Sequence, residues 1–293
     1  MLLRPARESD EDAEAVRRLA EASFAASAAA KDEAPLPEPG PRQAARRRER
    51  VRHLVRTDPA GSWLATGADG RPVGAAQSLI REGTWGLALL VVLPEAQGRG
   101  VGTALLERTL QYGRACLRGM VLGSRHPVAA RAYRRAGFDL HPAMRLRGTV
   151  DHAGLADPDG PAVVGSAAHR DLMDSLDRRL RGGAHGPDHE YLLRHRRLFV
   201  ADDLAGSGYC YFDEDGRVEL LAATSRRLAT RLLTAALLSL PEGSTAAVHG
   251  LTAEQQWALD VGLAAGMEVT TGGYVCLRGM RPPSPYIPSG GFL

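Results

Sequence analysis

Residues 87–102, Leu-Ala-Leu-Leu-Val-Val-Leu-Pro-Glu-Ala-Gln-Gly-Arg-Gly-Val-Gly, join an apolar run to a glycine-rich turn. The run belongs to residues 84–93, which predict a strand buried on both faces, and a helix is predicted from residue 101 to 114. Glycines let the backbone turn tightly and come close to a ligand. Because the free N–H groups of the turn and the helix start converge on an anion, a pyrophosphate is the natural occupant.

Other phosphate motifs fit this turn poorly. No Gly-Lys-Ser/Thr follows, as a Walker loop requires, and the βαβ unit with its acidic residue that marks a dinucleotide site is missing. A turn whose glycines serve only the backbone stays open as an alternative.

A second block, Ala-Arg-Ala-Tyr-Arg-Arg-Ala-Gly-Phe at residues 130–138, follows about 30 residues later. Together the two blocks resemble the GNAT superfamily of N-acetyltransferases, and the resemblance covers residues 1 to about 148. It implies an α/β fold with a mixed central sheet flanked by helices. It also implies acetyl-CoA as co-substrate, with transfer of the acetyl group to a primary amine of a small molecule or peptide.

The resemblance assigns a coenzyme site to the strand, the turn and the start of the next helix. The strand position that offers a backbone N–H to the thioester carbonyl is Val92, and the turn binds the pyrophosphate through its amides. Ser124 stands where the family usually has Asn, which leaves its coenzyme contact open. The residues implied to bind the coenzyme are Val92, Gln97, Gly98, Arg99, Gly100, Gly102, Thr103 and Ser124.

The resemblance also implies catalytic residues. Tyr133, in the second block, inherits the role of general acid to the departing thiolate. Family members often carry a carboxylate where this chain has Gly86, so the general base is missing from its usual position. Glu82 lies on the same pleat face, about 13 Å away along an extended strand, and is the candidate base. An exposed hairpin residue is the alternative interpretation of Glu82, with a water chain or a residue of the second half acting as the base.

Two short sequence matches indicate an internal repeat. Ala-Gly-Phe-Asp-Leu at residues 136–140 corresponds to Ala-Gly-Met-Glu-Val at 265–269, and Leu-Arg-Gly at 146–148 recurs at 277–279. An offset near 130 residues points to tandem copies. We therefore expect a catalytic GNAT domain over residues 1–150 and a GNAT-like domain over residues 151–293.

The second copy is expected to be degenerate, because its aligned segment, residues 222–230, lacks the glycine pair.

The cluster His185, Asp188, His189 and His195 does not have the H-E-x-x-H spacing, so it is interpreted as helix-capping loop residues and no metal is assigned. The proline-rich tail, residues 282–293, ends in Phe-Leu and is expected to dock on the protein rather than fray.

Composition limits the remaining possibilities. The 293 residues carry 37 basic and 34 acidic side chains, and a net charge of +3 makes nucleic acid an unlikely obligatory partner. Seven arginines in residues 42–57 are interpreted as a solvated helix face, with an anion or nucleic-acid patch as the alternative. The longest apolar run has seven residues, well short of the roughly 20 that span a bilayer, and no secretion signal opens the sequence, so a cytoplasmic location is expected. A catalytically inactive tandem protein that senses the coenzyme is the competing function, and the acceptor and the oligomeric state stay open.

Overall fold

The computed structural model of the chain describes residues 1–29 and 40–293. The chain divides into two compact units, Met1–Ile80 with Trp85–Cys116, and Arg81–Thr84 with Leu117–Leu293. The prolines at 35, 37 and 39 lie outside the described residues.

The first unit is built on four strands in the order β1-β2-β3-β4. Strand β1 pairs antiparallel with β2, and β2 pairs antiparallel with β3. The apolar run forms β4, which is buried over nearly its whole length, as predicted. The strands are β1 (Leu2–Pro5), β2 (Ser62–Thr66), β3 (Pro72–Arg81) and β4 (Thr84–Val92).

Helices cover both faces of this sheet. Two of them, α1 (Asp10–Ala29) and α2 (Pro41–Thr57), share one apolar cluster with the strands, while α3 (Val101–Tyr112) shares another. Helix α1 begins directly after Ser9, whose Oγ accepts a hydrogen bond from the Asp12 amide at 3.2 Å.

The arginines of α2 are paired with acids from the first unit. Arg47 contacts Glu21 at 2.9 Å and Arg56 contacts Glu8 at 2.6 Å, and Arg52 pairs with Asp10. These ion pairs favour the interpretation of α2 as a charged helix face that packs on α1, since its cations already have partners.

The second unit contains two antiparallel sheets. In the first the order is β5-β12-β6-β11, so a strand from near the end of the chain lies between two strands from its first half. These strands are β5 (Arg118–Gly123), β6 (Asp139–Thr149), β11 (Thr245–Leu251) and β12 (Glu268–Arg278).

The internal repeat is visible in this sheet. Strands β6 and β12 each have 11 residues, and the glycines before them, Gly137 and Gly266, both adopt left-handed backbone with φ of +85° and +73°. The two repeat copies pair with each other, from Glu268 opposite Arg147 to Leu277 opposite Asp139. The boundary predicted at residue 150 falls directly after β6, and strand pairing crosses it; a division into domains 1–150 and 151–293 stays a prediction.

The second sheet has the order β13-β10-β9-β8-β7. Helix α7 packs against it, and one large apolar cluster joins α7, α8, four of these strands and β11. The strands are β7 (Val163–Val164), β8 (Arg197–Asp203), β9 (Gly206–Phe212), β10 (Val218–Ala223) and β13 (Tyr286–Ile287). The helices of the second unit are α4 (Pro127–Arg135), α5 (Arg170–Arg181), α6 (Asp188–His195), α7 (Arg226–Leu238) and α8 (Gln256–Ala264).

The mixed α/β fold class is confirmed. Across residues 1–29 and 40–293, helices are either too short or too polar to cross a bilayer.

Candidate functional site

The glycine-rich turn lies between β4 and α3, as predicted. Strand β4 ends at Val92, a single 3-10 turn spans Pro94–Ala96, and α3 begins at Val101. Gly98 and Gly100 have φ of +74° and +79°, in the left-handed region that glycine adopts without a steric penalty. The turn therefore depends on glycine at these two positions.

The turn is open to a ligand. A Cβ placed on Gly98 or Gly100 would meet nothing within 4 Å, and residues 97–100 are exposed. Gly100 is the N-cap of α3 and no side chain caps it, so the first amides of the helix, at residues 101–103, have no helical carbonyl to bond. Free N–H groups at a helix start favour an anion, by hydrogen bonding and through the helix dipole.

Gln97 contributes differently from the glycines. Its Nε2 donates to the carbonyl oxygen of Val92 at 3.0 Å, which ties the turn back to the end of its own strand. The side chain therefore braces the turn, while the backbone amides beyond it stay exposed. Arg99 and Thr103 are also exposed on this segment.

Tyr133 lies in the second unit, on α4. Its side chain is buried, and a Cβ at Gly123 would lie 3.1 Å from its ring, so the glycine at the end of β5 makes room for it. Burial raises the pKa of Tyr133, and the nearby Cys276 adds to this effect. The phenol is therefore protonated at neutral pH, as a proton donor must be. The hydroxyl donates to no group in the described part of the chain.

Ser124 lies just before α4 and is exposed. Its Oγ accepts a hydrogen bond from the His126 amide at 3.3 Å, and His126 Nδ1 in turn accepts from the Val128 amide at 3.3 Å. Both side chains thus satisfy amides at the start of α4.

Residues 25–138, which include the glycine turn, Ser124 and Tyr133, match the acetyltransferase (GNAT) family. Over these residues the chain is similar to a GNAT acetyltransferase domain. No curated protein matches the chain.

Solved structures extend the likeness over the whole chain. A candidate acetyltransferase from Pyrococcus horikoshii aligns over 100% of this chain and 95% of its own, with 18% identity and a TM-score of 0.75. A GCN5-related N-acetyltransferase from Sphaerobacter thermophilus aligns over 99% and 98%, with 16% identity and a TM-score of 0.60. A tandem GNAT protein from the clavulanic acid biosynthesis pathway aligns over 96% and 99%, with 16% identity and a TM-score of 0.60. At these identities the likeness shows the fold alone, which this chain shares over nearly its whole length with these three proteins.

Glu82 occupies the tight turn between β3 and β4, with φ of +47°. Its carboxylate accepts hydrogen bonds from the Arg178 guanidinium at 2.7–3.1 Å and from the Ala184 amide at 3.0 Å. The Arg178 pairing lowers the pKa of Glu82, and the Ala184 amide lowers it further. A carboxylate with two partners and a lowered pKa is a weak proton acceptor, so these surroundings favour a structural role for Glu82 over that of the base.

The turn between β10 and α7 is the counterpart of the glycine turn in the second half. Here the N-cap is Ser225, whose Oγ accepts a hydrogen bond from the Leu228 amide at 3.3 Å. The side chain thus satisfies a helix-start amide that the glycine turn leaves free.

The edge of β10 is also covered. Leu221 and Ala222 pair with Ile287 and Tyr286 of the tail, and the Ala223 amide donates to the Pro285 carbonyl at 3.4 Å. The expected docking of the tail is confirmed, since residues 285–289 and 291–293 are buried.

A buried polar cluster in the second unit differs from the sequence interpretation. Asp177 Oδ2 lies 2.7 Å from His185 Nδ1 and 3.1 Å from His189 Nε2, and Oδ1 accepts from the Tyr209 hydroxyl. The prediction that these histidines are helix-capping loop residues is therefore wrong for His185 and His189, because both are fully buried partners of a buried acid. Asp188, from the same sequence cluster, pairs instead with Arg81 at 2.7 Å.

The cluster has the side chains of a metal site. Asp177, His185 and His189 bring ligand atoms within 4.8 Å of one another. Burial opposes ionisation of Asp177, but His185 and His189 outweigh it and lower the pKa of this carboxyl. The short contacts within the cluster are those of direct hydrogen bonds, which satisfy the buried groups without an ion.

Proposed function

We propose that the chain is an acyl-CoA-dependent N-acyltransferase that transfers an acetyl group from acetyl-CoA to a primary amine of a small molecule or peptide. The observation that carries this proposal is the open turn at Gly98 and Gly100, with uncapped helix amides behind it. Such a turn suits the pyrophosphate of a coenzyme.

Each remaining group has one task in this proposal. The bound coenzyme supplies an activated thioester. The amides of residues 98–103 hold its pyrophosphate, and the Val92 amide donates to the thioester carbonyl, on which negative charge develops. Tyr133, whose phenol is protonated at neutral pH, gives its proton to the departing thiolate.

The acceptor must lose a proton before or during attack, because an ammonium group is not a nucleophile. Gly86 occupies the position where the family often has a carboxylate, and Glu82 is already paired with Arg178. We propose that water accepts the proton of the acceptor ammonium group. Glu82 is the alternative base, and the variant Glu82→Gln tests it.

The second half is proposed to bind no coenzyme. Ser225 caps the helix start and the tail covers the edge of β10, so the two features that would receive a coenzyme are both satisfied by the chain itself. Residues 151–293 are thus proposed to form the degenerate domain.

An acceptor screen tests the proposal. The full chain is incubated with acetyl-CoA and, in turn, with polyamines, amino sugars, amino acids and short peptides, while free thiol is measured. We expect thiol release above the acetyl-CoA hydrolysis background for at least one class, with an acetylated amine in the mass spectrum. Failure to bind coenzyme A at all would overturn the proposal.

A second candidate function is that of an inactive coenzyme-binding sensor. The paired state of Glu82 and the glycine at position 86 favour it, because both leave the amine without a nearby carboxylate base. Tight coenzyme binding with no thiol release across the whole screen would support this function instead.

A further inference from the structure

The second unit contains a cavity of about 420 Å³ for which the acyl transfer proposed above has no use. It lies among the C-terminal end of α5, the start of β5, the segment after β12 and the beginning of the tail. Its volume falls within the range of small-molecule sites, roughly 300–1,000 Å³.

The wall of this cavity is strongly basic. None of the described lining residues is acidic. Four of them are arginines: Arg118, Arg179, Arg181 and Arg281. Two of them, Arg179 and Arg281, are exposed, and Arg118 is half-buried with one nitrogen bonded to the Gly182 carbonyl at 3.0 Å. Four positive charges around one concave surface attract anions.

Arg181 is the unusual member of this group. Its side chain is 1% exposed, and Nη1 donates to the Gly183 carbonyl at 3.0 Å. The other two nitrogens, Nε and Nη2, are buried and have no hydrogen-bond partner in the described part of the chain. Buried polar groups nearly always have a partner, and a buried charge needs one most.

The two unpartnered nitrogens lie on the same edge of the guanidinium. Their N–H bonds are parallel, so together they form a fork that fits two oxygens of one carboxylate or phosphate.

Arg81 shows such a fork with its partner in place. Its Nε and Nη2 each donate to a carboxylate oxygen of Asp188 at 2.7 Å, and both side chains are buried. The same two nitrogens of Arg181, a residue that lines the cavity, have no acid opposite them in the described part of the chain. An oxyanion held there would make the bonds that Asp188 makes to Arg81.

We propose that this cavity binds a small polyanion, with one carboxylate or phosphate group in the fork of Arg181. One singly charged group would leave most of the positive charge in the wall uncompensated. A ligand with two or more negative charges, such as a phosphate ester or a polycarboxylate, therefore fits better, with its second group facing Arg179 and Arg281. This site does not depend on acyl transfer.

Calorimetry on the full chain at constant ionic strength tests the site, with sodium pyrophosphate and sodium citrate as probes. We expect each probe to bind the wild type saturably and Arg181→Met to weaken that binding about 10- to 100-fold, as expected for loss of a bidentate charged pair. A double variant, Arg179→Gln with Arg281→Gln, is expected to weaken it at least threefold. Arg226→Gln, an exposed arginine of α7 outside the cavity, is the matched control and should leave the affinity unchanged.

Pyrophosphate can also bind the glycine turn, so Gly100→Val separates the two sites. Binding that persists in Gly100→Val and is lost in Arg181→Met belongs to the cavity. Tighter binding of pyrophosphate than of citrate indicates a phosphorylated ligand, and the reverse indicates a polycarboxylate.

A thermal shift controls for folding. Removing an unpaired buried charge should leave the Tm of Arg181→Met equal to or above that of the wild type without anion. With Gly100→Val present to block the glycine turn, pyrophosphate should raise the Tm of the protein that keeps Arg181 and should raise it less when Arg181→Met is added. If Arg181→Met does not fold, the double variant alone decides. Equal anion affinity in the wild type and the double variant, or no anion binding to the Gly100→Val protein, would overturn the proposal.

Discussion

Two strand-to-helix turns, one in each half of the chain, follow the same plan and end differently. After β4 the chain turns through two left-handed glycines into a helix with no side-chain cap. After β10 it turns directly into a helix that Ser225 caps, and the edge of the strand is paired with the tail.

The comparison indicates which feature allows such a turn to bind an anion. Amides at a helix start must find acceptors, either in the protein or in a ligand. No side chain caps these amides in the first turn, whereas in the second the Ser225 hydroxyl accepts from one of them and the tail pairs with the strand before the helix. A folded helix start alone is therefore a poor sign of an anion site.

The largest effect is expected from Gly100→Val. A β-branched residue at φ of +79° strains the turn and places methyl groups in the open space above it. Losing two or more hydrogen bonds to a charged pyrophosphate corresponds to about 3–6 kcal/mol, so the affinity for coenzyme A should fall more than about 100-fold.

Gly70→Val is the matched control for that variant, because Gly70 has φ of +77° and equally open space in a turn of the same unit. It should show the same backbone strain without loss of coenzyme affinity. Equal affinity of wild type and Gly100→Val would show that the first turn is no different from the second.

Tyr133→Phe should mainly affect turnover. Loss of a general acid typically costs about 100-fold in rate, and the hydroxyl acts only when charge develops on the thiolate. We expect kcat, measured by thiol release, to fall by roughly this factor. The dissociation constant of coenzyme A should change little.

Tyr112→Phe is the control for this variant, since the Tyr112 hydroxyl donates to Asp58 at 3.0 Å in the first unit. It should lower stability slightly and leave kcat unchanged. An unaltered kcat in Tyr133→Phe would assign that tyrosine to packing.

Deleting residues 284–293 uncovers the edge of β10 and removes Tyr286, Ile287, Phe292 and Leu293, all fully or nearly fully buried. A loss of about 3 kcal/mol, comparable to one large buried side chain, would lower Tm by roughly 5–10 °C. Differential scanning calorimetry measures this shift.

A milder variant of the tail is Ser289→Ala. Ser289 Oγ donates to Glu219 at 2.7 Å and accepts from the amides of Gly291 and Phe292, so its loss should lower Tm by less than the deletion does. Ser239→Ala, a half-buried helix-end serine, serves as the control. A wild-type Tm in the deletion would show that the tail does not close the second half.

The smallest effect is expected from Glu82→Gln, and it depends on pH. Because pairing with Arg178 lowers the pKa of Glu82 below its ordinary 4.5, the pair stabilises the fold above pH 4.5 and loses its effect as the pH falls through the lowered value. The Tm of the wild type should therefore exceed that of Glu82→Gln at pH 7 and converge with it in acid.

Glu107→Gln, on the exposed face of α3, is the control and should show the wild-type pH profile. We expect kcat of Glu82→Gln to stay within about threefold of the wild type, since general-base loss would cost at least about 100-fold. A loss of that size would identify Glu82 as the base.

Local features were predictable from sequence. The apolar run of β4 and the glycines of the turn act through neighbours in the chain, and each lies where the pattern predicts it. The internal repeat was also predicted from sequence. In the structure its two matching glycines, Gly137 and Gly266, have the same left-handed backbone conformation.

Features that depend on distant partners were not predictable. The insertion of β12 between β5 and β6 follows from pairing over more than a hundred residues. The burial of His185 depends on Asp177, and the fork of Arg181 differs from that of Arg81 only in whether an acid lies opposite. Spacing along the chain carries no signal for these partners.

The most direct test of the difference between the two turns is the stoichiometry of coenzyme A binding, measured by calorimetry on the full chain. The open first turn and the closed second turn predict one coenzyme per chain in the wild type. Two equivalent sites per chain would contradict the account, because the turn capped by Ser225 would then bind as the glycine turn does.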